Sequence, residues 1–202
     1  IGYDTAANTA VEAIDRLRDT MQSHERCSVI EVMGHRAGNL ALYVGIATGA
    51  TAVLIPEEPW DFEEDVAEKI RNARLAGRTH FMVIVAEGAK RKADGTLDND
   101  VVGNGTAGHQ VADLIRAELG LDPRVTVLGH IQRGGSPTAR DRVTATRMGY
   151  VAVKALAEGK TNRVVVRYFG EIKDVDMLEA LKQENRLDEE EKQVLRAMTF
   201  SF

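Results

Sequence analysis

Short apolar runs alternate with amphipathic stretches along most of this chain. Four runs rich in Val and Ile have the length of a strand and are bounded by Gly, Pro or charged residues: 27–32, 52–55, 81–86 and 125–128. Apolar residues recur with helical spacing before and between these runs, at 4–20, 40–48, 63–75 and 107–119. The first pattern is typical of buried parallel strands and the second of helices packed on a sheet. Their alternation predicts an α/β fold: a doubly wound, mostly parallel, Rossmann-like sheet with helices on both faces and binding sites at the carboxyl ends of its strands.

The pattern is less regular toward the C-terminus. We predict a long helix over 138–156, a strand over 163–167, a helix over 174–183 and a charged last segment from Asp188. A surface loop is expected over 90–105, which combines Gly with charged residues. In this fold class a strand normally leads into the first helix, so we also expect that sequence belonging to the fold precedes Ile1.

Composition and charge exclude several classes of protein. The 202 residues are 44% hydrophobic and 28% charged, which is typical of a soluble globular protein with a sizeable core. The formal net charge of −5 at pH 7 argues against nucleic acid as a partner, so any phosphate site must be a local cluster of Arg and His. The single cysteine, Cys27, excludes an internal disulfide and favours a reducing, cytoplasmic setting. No apolar run is long enough to span a membrane and no signal peptide is recognisable, so no membrane partner is expected.

The segment 126–137 carries the strongest indication of chemistry. A strand leads into a turn with His130 and Arg133, then a Gly pair, then Ser136 as a predicted helix N-cap with Pro137 at the first helical position. Two basic side chains, a backbone that can approach a ligand and a helix N-terminus all favour an anion, so the segment predicts a phosphate site. The alternative is a simple turn in which Arg133 is a solvated surface charge.

The same segment, HIQRGGSP after TVLG, resembles the hallmark loop of the phosphofructokinase family. Three further segments match the family in order and spacing: AIDRLRDT at 13–20, EVMG at 31–34 and RDRVTATRMG at 140–149. Together they make the chain similar to the C-terminal, fructose 6-phosphate-binding portion of a 6-phosphofructokinase. The resemblance implies that the donor-binding half, with the catalytic base, is missing from this chain and lies upstream of Ile1, so that the chain alone is inactive.

The resemblance assigns the sugar phosphate to four basic residues. His130 and Arg133 resemble the residues that hold the 6-phosphate from within one subunit. Arg26 and Arg124 resemble two arginines that reach the same phosphate from a neighbouring subunit. Planar guanidinium groups suit a phosphate, and sharing them makes the site depend on a homo-oligomer.

Glu87, Met33 and Gly34 resemble the sugar-contacting residues of the family. Glu87 matches the carboxylate that accepts hydrogen bonds from the sugar hydroxyls, although an acid at a strand end is otherwise simply exposed. The next position departs from the family, because an Arg usually follows Met-Gly and the order here is His35-Arg36. Either His35 supplies a weaker, pH-dependent cation or Arg36 substitutes from the next position.

The effector site of bacterial members is matched in part. Five positions resemble its ligands: Arg18, Gly49, Thr51, Arg78 and His80. Thr51 stands where an acid is usual. Because that acid helps hold the cation of a bound nucleotide, its loss argues against ordinary nucleotide activation. The alternative for the three basic residues is a solvated charge on the surface.

The segment TLDND at 96–100 resembles the catalytic TIDND of the family but stands in another context. The family's segment precedes the first helix, whereas this one follows Glu87, so we interpret Asp98 and Asp100 as loop residues. No Gly-rich donor loop or metal-holding acid of the family is found in the sequence either. The catalytic residues and metal ligands are therefore expected outside this chain.

The resemblance implies a function, partners and a division of the chain. The parent enzyme would phosphorylate fructose 6-phosphate to fructose 1,6-bisphosphate in glycolysis, as an allosteric cytoplasmic homotetramer that uses Mg²⁺ with ATP or with pyrophosphate. Residues 1–132 would bind fructose 6-phosphate, 133–168 would return to the donor domain and 169–202 would form a C-terminal helical segment. Two alternatives stay open: a noncatalytic sugar-phosphate-binding or regulatory module, and a generic Rossmann-like nucleotide binder, although the GxGxxG of the latter is absent.

Overall fold

The computed structural model describes residues 1–21, 26–92, 106–168, 170–183 and 187–200, and it confirms the predicted α/β fold. The strands are β1 (Arg26–Val32), β2 (Ala52–Leu54), β3 (His80–Ala86), β4 (Arg124–Val127), β5 (Arg163–Tyr168) and β6 (Glu171–Asp176). The helices are α1 (Tyr3–Met21), α2 (Asn39–Thr48), α3 (Glu68–Leu75), α4 (Ala107–Leu119), α5 (Ala139–Ala157), α6 (Met177–Leu181) and α7 (Glu189–Phe200). One π-helical turn, Glu63–Ala67, leads into α3, and a 3₁₀ turn, Gly129–Arg133, follows β4.

The first four strands form a parallel sheet in the order β2-β3-β1-β4. β1 lies in the middle and pairs with β3 from Arg26 opposite His80 to Val32 opposite Ala86. Its other edge pairs with β4, where Ser28 lies opposite Arg124. Because the pairing is parallel, the segments that follow β1, β3 and β4 leave the sheet at the same edge.

Alternate residues of the buried strands face opposite sides of the sheet and build two apolar layers. Ile30 of β1 and Ile84 of β3 belong to a cluster with residues of α1 and α2, among them Ala10, Ile14, Leu42 and Val44. Val29 and Val83 belong to a second cluster with residues of α3 and α4, among them Ile70, Val111 and Ile115. The predicted helices on both faces are therefore present.

Cys27 is buried at the start of β1, as the apolar pattern predicts. Burial disfavours the thiolate and raises the pKa of Cys27 to about 12. The thiol is consequently a core group of the sheet.

The chain divides into two compact units. The larger comprises Ala6–Gly134 with Leu187–Phe202 and contains the parallel sheet. The smaller comprises Ile1–Thr5 with Gly135–Arg186 and contains α5, α6 and the antiparallel pair β5-β6. The roles assigned above to 1–132, 133–168 and 169–202 stay predictions.

One sequence prediction near the C-terminus is wrong in detail. The helix predicted over 174–183 begins later, because β6 continues to Asp176 and pairs with β5. The Asp176 carboxylate then caps α6 by accepting from the backbone N–H groups of Leu178 at 2.9 Å and Glu179 at 3.2 Å. The charged segment from Asp188 forms α7, whose Lys192 pairs with Glu58 at 2.7 Å within the larger unit.

The predicted loop over 90–105 lies largely outside the described residues, as do Asp98 and Asp100. Within the described ranges, no helix is both long and apolar enough to cross a membrane.

Candidate functional site

The turn that follows β1 is held by the side chain of Glu87, which follows β3. The backbone N–H of Glu87 donates to the Val32 carbonyl at 2.9 Å and so continues the parallel ladder. Its carboxylate Oε1 accepts from the backbone N–H groups of Gly34 at 3.1 Å and His35 at 2.6 Å. Both hydrogen bonds that the structure describes for this carboxylate thus end on Oε1, and they fix Glu87 against the end of β1.

The backbone of this turn is packed too tightly for larger residues at two positions. His35 has a φ of 55°, which is uncommon for a residue with a Cβ. A Cβ added to Gly88 would lie 2.0 Å from the His35 carbonyl oxygen, and one added to Gly34 would lie 2.2 Å from the carbonyl oxygen of Ala37. Glycine is therefore required at both positions by close backbone contacts.

His130 and Arg133 lie on the 3₁₀ turn after β4, at the same edge of the sheet as Glu87. Both side chains are exposed, whereas Gln132 between them is buried. The Gln132 amide accepts from the Met33 backbone N–H at 3.3 Å and so connects this turn to the end of β1. The structure thus brings six of the predicted residues to one edge of the larger unit: Met33, Gly34, His35, Glu87, His130 and Arg133.

The predicted N-cap at Ser136 is wrong. Helix α5 begins at Ala139, and its N-cap is Thr138, whose hydroxyl accepts from the Asp141 backbone N–H at 3.3 Å. Ser136 and Pro137 therefore precede the helix, because a second capping residue lies two positions further along the chain.

Arg26 and Arg124 lie at the opposite edge of the sheet from Glu87. They begin β1 and β4, and His80, which begins β3, is in register with Arg26. Since β1 has seven residues, its two ends are roughly 20 Å apart at about 3.3 Å per residue. Arg124 is exposed and lies 3.6 Å from Asp122. Arg124 begins the shorter β4 level with Ser28, so it lies roughly 10 Å from the end of its strand at about 3.3 Å per residue.

The five predicted effector positions lie around the amino ends of β2 and β3. The Arg18 guanidinium donates to the Thr48 carbonyl, and Gly49 ends α2 in a left-handed conformation with φ 63°. The Thr51 hydroxyl accepts from the Met82 backbone N–H at 3.1 Å and is buried. Arg78 and His80 are half-buried at the start of β3. Thr51 is therefore part of the connection between β2 and β3.

Across the described ranges, no group of three or more His, Cys, Asp or Glu side chains is placed to hold a metal ion. These residues do not by themselves form a site for the Mg²⁺ that the resemblance implies, and no chemical step is assigned to a metal.

Gln132 is a site residue that the sequence prediction missed. Its neighbours in sequence, Ile131 and Arg133, are both exposed, and an amide between two exposed residues is ordinarily exposed as well. The preceding strand and turn give no signal for burial of this one side chain. The backbone N–H groups of Gly34 and His35 that hold Glu87 were not predicted either, because every residue except proline has such a group and the sequence does not show which ones donate to a side chain.

Curated relatives and solved structures resemble this chain over almost all its length. The ATP-dependent 6-phosphofructokinase of Brevibacillus brevis is 48% identical over 93% of this chain and 54% of the relative. The ATP-dependent 6-phosphofructokinase 1 of Clostridium perfringens is 47% identical over 94% of this chain and 54% of the relative. The chain spans about half the length of these relatives.

Among solved structures, phosphofructokinase from Saccharomyces cerevisiae matches with a TM-score of 0.76 and 32% identity over 96% of this chain and 24% of that chain. A pyrophosphate-dependent phosphofructokinase from Nitrosospira multiformis matches with a TM-score of 0.72 over 98% of this chain and 54% of that chain. At 19% identity the latter supports the fold alone. A sequence model of the family described as Phosphofructokinase matches residues 1–156, and the chain therefore belongs to the phosphofructokinase family.

Proposed function

We propose that this chain forms the fructose 6-phosphate-binding part of a 6-phosphofructokinase, a glycolytic kinase that makes fructose 1,6-bisphosphate. The observation that carries the proposal is the meeting of Glu87, the end of β1 and the turn with His130 and Arg133 at one edge of the parallel sheet. Binding at the carboxyl ends of strands is the rule for open α/β sheets. Relatives 42–48% identical to the chain are named ATP-dependent, which favours ATP as the donor.

Each side chain at this edge has chemistry that suits one part of the sugar phosphate. The Arg133 guanidinium can donate two parallel hydrogen bonds to phosphate oxygens, and His130 adds a donor on the same turn. Glu87, with Oε1 occupied by backbone donors, can accept from sugar hydroxyls. Met33 and Gly34 would line the sugar, and either His35 or Arg36 would lie toward the transferred phosphoryl group.

The chain's part in the reaction is to position the acceptor. The oxygen of the sugar 1-hydroxyl attacks the terminal phosphorus of the donor, the bond from that phosphorus to the leaving oxygen breaks, and the hydroxyl proton must leave. Phosphoryl transfer depends chiefly on alignment and on stabilisation of charge. No base for the proton and no ligand for Mg²⁺ is assigned to the described residues.

The proposed site is shared between copies of the chain. Arg26 and Arg124 begin β1 and β4, away from the carboxyl ends where Glu87 lies, which supports their contacting the sugar phosphate bound at another copy. A homo-oligomer follows, with a dimer as the smallest unit and a tetramer as the proposed state. Arg18, Gly49, Thr51, Arg78 and His80 would form an effector site at the amino edge, and the assembly would be cytoplasmic. The names of the relatives do not favour a noncatalytic module.

Calorimetry with fructose 6-phosphate on the full-length protein tests the proposal through Arg133→Ala. Losing one charge-assisted contact to phosphate should weaken the affinity roughly 10- to 150-fold. Arg71→Ala is the matched control, because Arg71 is an exposed arginine of α3 that pairs with Glu63 and is not among the proposed ligand contacts. An affinity of Arg133→Ala within twofold of the wild type would contradict the assignment, as would an equal loss in both variants.

A further inference from the structure

Gln132 is the most deeply buried polar side chain of the candidate site. It is 2% exposed, although His130 and Arg133 on the same turn are exposed. A buried amide is costly unless its polar atoms are hydrogen bonded. Here Oε1 accepts from the Met33 backbone N–H at 3.3 Å and Nε2 donates to the Gly129 carbonyl at 3.0 Å. The amide has only this orientation, because a backbone N–H can only donate and a carbonyl can only accept.

The Gln132 side chain continues the sheet beyond the end of β4. On that side of β1, the Glu31 carbonyl accepts from the Leu128 backbone N–H at 3.0 Å. Backbone groups two residues apart in a strand face the same side, so the Met33 N–H also points toward β4. Strand β4 ends at Val127, and the side-chain amide oxygen Oε1 of Gln132 accepts from this N–H in place of a backbone carbonyl.

Glu87 does the same on the other side of β1. The Val32 carbonyl accepts from the Glu87 backbone N–H, and the Gly34 N–H two residues later donates to the Glu87 carboxylate. The end of β1 is thus held between a side chain from the β3 side and a side chain from the β4 side. Glu87 is itself a proposed sugar contact, and Gln132 lies on the turn that carries the proposed phosphate contacts His130 and Arg133.

We propose that Gln132 is a positioning residue that fixes the distance between the phosphate-binding turn and the sugar-binding end of β1. The inference rests on the proposed function. A sugar phosphate must engage His130 and Arg133 at one end and Glu87 at the other, so its affinity depends on their separation. Inorganic phosphate engages only the turn, and its affinity does not depend on that separation.

The test compares fructose 6-phosphate and inorganic phosphate on full-length Gln132→Met, which keeps the length of the side chain and removes both hydrogen bonds. The dissociation constant for fructose 6-phosphate should rise about tenfold, while that for inorganic phosphate stays within twofold of the wild type. In steady-state kinetics the KM for fructose 6-phosphate should rise and the KM for the donor should not. A general loss of structure would instead weaken both ligands together.

Gln132→Glu provides a second variant, since it keeps an acceptor for Met33 but cannot donate to the Gly129 carbonyl when ionised. The negative charge of Glu lowers the affinity for any phosphate ligand, so the quantity to compare is the ratio of the two dissociation constants. The dissociation constant for fructose 6-phosphate should again rise more than that for inorganic phosphate. An unchanged ratio in folded Gln132→Met would overturn the proposal and leave the proposed function standing. Failure of both variants to fold would also overturn the proposal, because Gln132 would then be required for folding rather than for positioning the site. A wild type that does not bind fructose 6-phosphate would overturn both proposals.

Discussion

At the scale of single residues, the site depends on a backbone packed so closely that two glycines are obligatory. Gly88 follows Glu87 directly, and a Cβ there would lie 2.0 Å from the carbonyl oxygen of His35. The same turn presents the N–H groups of Gly34 and His35 to the Glu87 carboxylate. Displacing one backbone segment therefore also displaces the carboxylate proposed to hold the sugar.

We expect Gly88→Ala to weaken both stability and fructose 6-phosphate binding. The contact is with backbone, which cannot move cheaply, so the free energy of unfolding should fall by about 1–3 kcal/mol, as for other overpacked sites. Gly149→Ala is the matched control, because Gly149 lies within α5 and a Cβ added there meets no atom within 4 Å. Thermal unfolding and calorimetry measure the two effects, and equal behaviour of the two variants would contradict this description of the turn.

The sequence predicts the site residues whose role comes from a charged side chain, but not those whose role comes from contacts with the backbone. His130, Arg133 and Glu87 stand out in the sequence because cationic or acidic groups follow strands, and the structure brings them to one edge. Gln132 could not be predicted, since its role comes from a backbone N–H 99 residues earlier in the chain. The positive φ of His35 could not be predicted either, since its contacts in the structure are with Glu87 and Gly88, more than 50 residues later in the chain.

At the scale of elements, the starts of α1 and α5 cap each other within the smaller unit. The Asp141 carboxylate of α5 accepts from the backbone N–H groups of Gly2 at 2.9 Å and Thr5 at 2.8 Å, and from the Thr5 hydroxyl at 2.5 Å. In return, Asp4 of α1 accepts from the Thr138 hydroxyl at 2.7 Å. Desolvation alone would raise the pKa of Asp141, but the hydrogen bonds from Thr5 and Gly2 lower it below its usual value.

Asp141→Asn should destabilise the smaller unit by about 1–2 kcal/mol near neutral pH, the range for loss of a helix cap. Both carboxylate oxygens accept hydrogen bonds, and an amide offers only one acceptor. Because the folded pKa lies below the unfolded value near 3.9, this stabilisation is present above that pH and is lost as the pH falls through the folded pKa.

Chemical unfolding of Asp141→Asn and of wild type between about pH 7 and pH 2 measures this effect, and the difference between them should shrink on acidification. Asp176→Asn serves as control, since Asp176 caps α6 through one oxygen and Asn caps a helix equally well. A difference that grows at low pH would contradict the assigned direction of the pKa.

The elements that could be predicted are those whose residues pack on the sheet. The apolar pattern located α2 and α4 closely, because both helices bury apolar residues in the clusters that contain the strands of the sheet. It misplaced the start of the helix near 174, where alternation over Glu171–Asp176 is weak and pairing with β5 decides the conformation. The same pattern gave no bounds for α7, because this helix is strongly charged and is held in the larger unit partly by the ion pair of Lys192 with Glu58.

At the scale of the whole molecule, the parallel sheet separates two groups of basic residues. His130 and Arg133 lie beyond the carboxyl ends of the strands, and Arg26 and Arg124 begin β1 and β4 at the other edge. Basic residues at opposite ends of the strands are placed to serve one phosphate when copies of the chain assemble, as we propose. Sequence resemblance supplied the identities of these residues, whereas their placement at opposite ends of the strands could be known only from the fold.

Mixing two inactive variants of the full-length protein tests this arrangement and the proposed activity together. Arg124→Ala and Arg133→Ala should each phosphorylate fructose 6-phosphate poorly with ATP and magnesium, because each lacks a phosphate contact at every site. In random mixed dimers, half of the assemblies pair the two variants, and one of the two sites in each regains all its arginines. We therefore expect the mixture, after dissociation and reassociation, to recover up to about a quarter of the wild-type rate in a coupled assay for fructose 1,6-bisphosphate. A mixture no more active than the two variants alone, once mixed oligomers are verified by native mass spectrometry, would contradict a sugar-phosphate site built from opposite edges of two sheets.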